Sequence, residues 1–69
     1  MKYAVVIERG PRSYGATVPD LPGCVAVGST LQEVERLIEE AIAGHVAVLR
    51  ERGEPVPEPQ TLVSVVDVE

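Results

Sequence analysis

The chain has 69 residues, a formal net charge of -5, one cysteine (Cys24) and one histidine (His45). A chain this short buries only about 60% of the surface that its unfolded form exposes, and without a disulfide framework or a metal cluster the remaining support is self-association. Nothing points to an oxidising compartment, Met1–Ile7 is too brief before Glu8 for a signal peptide, and no apolar run approaches membrane-spanning length, so a soluble, cytoplasmic protein is expected.

Tyr3-Ala4-Val5-Val6-Ile7 is rich in β-branched residues and reads as a first strand, broken by Gly10-Pro11. From Ser13 to Val18, Tyr14, Ala16 and Val18 alternate with Ser13, Gly15 and Thr17, the period of a half-buried second strand. Leu21-Pro22-Gly23-Cys24 fits a type II turn, in which proline fixes φ at the second position and glycine supplies positive φ at the third. Cys24–Val27 makes a short third strand, and Gly28-Ser29 leads into a helix.

Thr30 with Glu33 three residues later is a capping box, which fixes the helix start. Val34, Leu37 or Ile38, Ala41, His45 and Val48 or Leu49 follow at helical spacing, with Glu33, Arg36, Glu39 and Glu40 away from that stripe. Gly53, just after Arg50-Glu51-Arg52, supplies the stop. Pro55, Pro57 and Pro59 then favour an extended return, and Thr61–Val68 reads as a fourth strand. The resulting expectation is an α+β fold over residues 1–69, a single domain of order β-β-β-α-β. Its sheet has four strands in the order 3-2-1-4, with the fourth parallel to the first and the helix on one face.

Two apolar excesses remain. The helix from Ala41 to Leu49 is apolar all round, and the first strand carries Val5 and Ile7 on one face with Ala4 and Val6 on the other, yet one helix covers only one face. Both predict a homo-oligomer. The small residues Ala43, Gly44 and Ala47 are its candidate interface, because Gly44 in mid-helix costs about 1 kcal/mol relative to alanine and a close approach by another chain would explain it.

Charge is unevenly placed. Residues 1–29 hold Lys2, Arg9 and Arg12 against Glu8 and Asp20, whereas Thr30 onward holds three arginines against nine carboxylates. Nucleic-acid binding draws its affinity from clustered lysine and arginine, so no direct nucleic-acid binding is expected, and the acidic helix suits a basic protein partner. No catalytic residue, metal ligand or cofactor site emerges. His45 lies on or beside the apolar stripe without an orienting partner, Cys24 reads as a small core residue, and Glu39-Glu40 and Glu33/Glu35 read as a solvated face.

Four segments together carry a resemblance to a known family: Tyr3–Ile7, Tyr14-Gly15-Ala16-Thr17-Val18-Pro19-Asp20-Leu21-Pro22-Gly23-Cys24, Gly28-Ser29-Thr30-Leu31-Gln32-Glu33-Val34, and Gly53-Glu54-Pro55-Val56-Pro57-Glu58-Pro59. The chain resembles the HicB-like antitoxins across nearly its whole length. That resemblance implies a partial ribonuclease H-like fold. It also implies a function: binding and silencing a small basic HicA-type toxin that cleaves messenger RNA, with no enzymatic activity of its own. The exposed strand edge and the turn Pro19, Asp20, Leu21, Pro22 and Gly23 are the expected partner-binding residues. The rival expectation is a stand-alone homo-oligomeric interaction module without a toxin.

Two departures from the family pattern shape these expectations. The chain stops at Glu69, where family members usually continue into an operator-binding helix-turn-helix or ribbon-helix-helix segment, and the hairpin Glu8–Ser13 carries arginines in place of an acidic turn. The fold also invites a nuclease reading, but two-metal chemistry needs convergent carboxylates and the predicted strands offer only Glu8 and Asp67.

Overall fold

The computed structural model describes residues 1–69 and contains, in chain order, β1 (Val6–Arg9), β2 (Tyr14–Thr17), β3 (Val25–Gly28) and α1 (Leu31–Glu51). Two tight connections dictate the antiparallel sheet, whose order is β1-β2-β3. Between β1 and β2 the Gly10 N–H donates to the Ser13 carbonyl at 2.8 Å. Between β2 and β3 the Cys24 N–H donates to the Leu21 carbonyl at 3.0 Å, and Gly23 sits at φ +83, which completes the expected type II turn.

The pleat sorts side chains by face. Ile7, Ala16 and Ala26 are opposite one another across the three strands and belong to the core, whereas Val6, Thr17 and Val25 share the other face. That second face is open, with Val6, Val25 and Val27 at 41%, 59% and 66% exposure. α1 packs against β3 and β2, so it lies off to the side of β1. Leu21 and Val34 are fully buried and anchor a core completed by Ala16, Val18, Cys24, Ile38 and Val46. Each large aliphatic side chain removed from water in this way contributes about 1.5–3 kcal/mol.

Gly28 lets the sheet and helix meet. A Cβ on it would lie 2.7 Å from the Val34 nitrogen and 3.0 Å from its Cα, and backbone atoms cannot step aside. Thr30 caps α1, its Oγ1 accepting the Glu33 N–H at 3.0 Å. The reciprocal bond differs from the expected box: the Glu33 carboxylate accepts the N–H of Ser29, at 2.8 Å, not that of Thr30. At the other end Gly53 has φ +68, its N–H donates to Arg50 and the Glu54 N–H donates to Leu49, the paired bonds of a Schellman stop.

The helical stripe is wider than its spacing implied. Val34 and Ile38 are buried as expected, Leu49 rather than the 43% exposed Val48 is half-buried, and Val46, outside the expected set, is buried as well. The return after Gly53 crosses back over the fold, with Val56 packed on the core and the Tyr3 hydroxyl donating to the Pro57 carbonyl.

The expected fourth strand is corrected. Thr61–Val68 has no strand partner, the sheet has three strands, and the order 3-2-1-4 is not formed. A strand makes no hydrogen bonds within itself, so a β-rich sequence becomes one only when another edge takes its N–H and C=O groups. Here the segment leaves the fold after Thr61: Leu62, Val63, Val65, Val66 and Val68 are 71–93% exposed. The molecule measures 46 × 27 × 16 Å as a result. Its radius of gyration is 13.5 Å against about 11 Å for a compact chain of this length. No helix is long and apolar enough to cross a membrane.

Candidate partner-binding surface

The 19–23 turn is divided in two by its packing. Leu21 is fully buried and serves the core, leaving Pro19, Pro22 and Gly23 on the surface. Asp20 faces the return segment. One carboxylate oxygen accepts the N–H groups of Gln60 and Thr61, each at 3.0 Å, and the other accepts the Thr61 hydroxyl at 2.9 Å. These bonds favour the ionised form and lower the Asp20 pKa. The Thr61 N–H is the largest cause, followed by the Gln60 N–H, while partial burial opposes them and the Thr61 hydroxyl adds to them. Because the partners are 40 and 41 residues away, no local sequence signal announces this clamp.

Beside the turn, a groove of about 360 Å³ runs between β3 and the C-terminal half of α1. Gly23 and Val25 line one wall, Ala41, Gly44 and Val48 the other, and His45 and Arg52 are the polar members. It brings together one residue from the expected partner turn, Gly23, and one from the expected oligomer stripe, Gly44. Ala43, Gly44 and Ala47 are exposed, and a Cβ on Gly44 would meet nothing within 4 Å, so no part of this subunit requires the small side chain there. β3 pairs only with β2, and its outer edge is free next to the groove.

The arrangement favours docking over reactivity. Burial pushes the Cys24 thiol pKa up, which disfavours the thiolate. Arg36 and Glu40 form an exposed i,i+4 ion pair at 3.3 Å, a contact contributing about 0.3–0.5 kcal/mol. Glu35, Glu39 and Glu51 are exposed elsewhere on the same helix. Glu8 lies on β1 and Asp67 in the exposed tail, and no group of three or more His, Cys, Asp or Glu side chains converges.

Comparison with known proteins adds a family and a structural likeness. Residues 3–69 match the family described as HicB-like antitoxin of bacterial toxin-antitoxin system. An uncharacterized 14.9 kDa protein from the rep-hol intergenic region of Haemophilus phage HP1 is 39% identical over 57 residues, which is 83% of this chain and 43% of that protein. The chain thus spans less than half the length of that phage relative. A UPF0150 protein of Thermotoga maritima is 38% identical over 56 residues, covering 78% of this chain and 71% of the relative. Among solved structures, a chain of a HicA3 and HicB3 toxin-antitoxin complex superimposes with a TM-score of 0.72 at 30% identity, over 86% of this chain and 70% of that one.

Proposed function

The chain belongs to the HicB-like antitoxin family, and from that membership we propose that it is a non-enzymatic antitoxin that binds and neutralises a small basic HicA-type toxin. The observation that carries the reading is the likeness, at a TM-score of 0.72, to a chain of a complex that contains HicA3 and HicB3. The groove beside β3 gives the reading a surface: an apolar floor, a free strand edge for backbone pairing, and the turn residues Pro19, Pro22 and Gly23 at its end. Asp20 and Leu21 act behind that surface, one by holding the return segment and the other by filling the core. Exposed carboxylates on α1 attract a basic toxin over distance, raising the encounter rate more than the final affinity. Occlusion of the toxin's active site then silences it without chemistry on the antitoxin's part, and without direct nucleic-acid binding by the residues described.

Within the same proposal the protein is a cytoplasmic homo-oligomer with a partial ribonuclease H-like scaffold, and Ala43, Gly44 and Ala47 form part of a contact between chains. Co-expression with a HicA-type toxin from the neighbouring reading frame tests the central reading. Rescue of growth and co-purification of a complex are the expected results. Growth arrest that persists, with no complex recovered, contradicts it and favours the second reading, a homo-oligomeric interaction module without a toxin. The exposed apolar tail is the observation that keeps this second reading in view.

A further inference from the structure

The second groove of the molecule, about 290 Å³, lies on the other flank of α1, between the helix and β1. Val5, Ile7, Ile38 and Ile42 line it, with Glu35 and Glu39 as its charged members. It exists because α1 sits over β3 and β2. β1 pairs only with β2, so the N–H and C=O groups along its outer edge are open. A strand laid on that edge would send alternate side chains into the groove and the others onto the open face beside Val6.

The chain itself carries a segment of that chemistry. Leu62–Val68 is apolar on both faces of an extended chain: Leu62, Ser64, Val66 and Val68 fall on one side, Val63, Val65 and Asp67 on the other. The first set suits the groove, since Asp67 would meet repulsion from Glu35 and Glu39. Thr61, immediately before the segment, is clamped to Asp20 just beyond the end of β2, and that end of β2 pairs with Val6 at the start of β1. The tail therefore departs from the correct end of the sheet to run alongside a β1, yet it projects away from its own subunit.

We infer that residues 62–68 of one copy add as a fourth strand to the β1 edge of a second copy, which returns its own tail in exchange. Exchange of an identical element between protomers needs no new sequence, and it pairs the open groups along the outer edge of β1 with the alternate N–H and C=O groups of the tail that face them. Reciprocity doubles the covered area, and five large apolar residues from each tail with the grooves and edges that receive them bring it to the order of 1,500 Å², within the range of stable interfaces. This rests on the self-association proposed above, specifies its mode, and is independent of the toxin. It places the exchanged strand at β1, away from the β3 groove that Gly44 lines.

Sedimentation of the full chain and of Val66→Asp tests it. The full chain is expected to sediment as a dimer at micromolar concentration. Val66→Asp should weaken association about 100-fold or more, because a carboxylate would enter an apolar slot, with the helical circular dichroism unchanged since Val66 is exposed within one subunit. A dimer that survives Val66→Asp overturns the exchange and leaves self-association by another surface, whereas a monomeric full chain overturns both. In a dimer mixed from isotope-labelled and unlabelled copies, methyl contacts between Val66 and Ile7 or Ile42 should cross from one copy to the other. Contacts found only within one copy would show that the tail folds back on itself and overturn the exchange.

Discussion

Residues 3–9 and 61–68 are both short, β-branched and flanked on one side by a breaker, Gly10-Pro11 after the first and Pro59 before the second, yet β1 forms within the first and no strand forms in the second. The difference lies in what each can reach. β1 is joined by the short Gly10–Ser13 loop to a partner that faces it in register, from Val6 with Thr17 to Arg9 with Tyr14. The tail begins only after a 21-residue helix and a proline-rich return, and its backbone meets the fold at one anchor, the Asp20 clamp. Strand character in a sequence is thus a capacity to pair, and an available edge decides whether that capacity is used.

If this contrast is right, substitutions in the folded part should be costly for a subunit and matching ones in the tail should not. The largest effect is expected at Leu21, which has no exposed surface: Leu21→Ala should lower the unfolding free energy by about 2–5 kcal/mol in chemical denaturation. Next comes Gly28→Ala, where the new Cβ presses on the Val34 backbone; a loss of about 1–3 kcal/mol is expected by the same measurement. Thr30→Ala removes the cap on α1 and should cost about 1 kcal/mol. Leu62→Ala, at a residue 92% exposed, should change the stability of a single subunit by less than about 0.5 kcal/mol while weakening association between copies.

Acid sharpens the same contrast at its boundary. The Asp20 pKa is lowered by the Thr61 and Gln60 N–H groups, so it is lower with the tail docked than with the tail free. The clamp's contribution is therefore complete above the ordinary aspartate pKa and is lost as pH falls through the lowered value. Amide resonances of Gln60 and Thr61 should move together in that acidic window, and the shift should vanish in Asp20→Asn. Movement at higher pH, or in the variant, would assign the contact to another group.

What could be read in advance follows the range of each interaction. The Pro22-Gly23 turn, the Thr30 cap and the Gly53 stop involve residues within a few positions of one another, and each lies where its local chemistry places it. The burial of Val46 was not legible from the helical stripe, which runs through His45 and Val48 or Leu49, and the packing of Val56 on the core brings in a distant part of the chain. The Asp20 clamp joins residues 40 and 41 positions apart. Gly28 looked like a simple connector, and only the assembled strand and helix reveal that its missing Cβ is required. Within the expected partner turn, the division between core and surface was not legible, since the burial of Leu21 is a property of the packed fold.

Amide hydrogen exchange in the tail, followed as a function of protein concentration, tests the account at its centre. If residues 62–68 are a strand completed by another copy, the alternate amides that face β1 should be protected at concentrations where the dimer is populated and lose protection together on dilution. Rapid exchange of all seven at every concentration would contradict it.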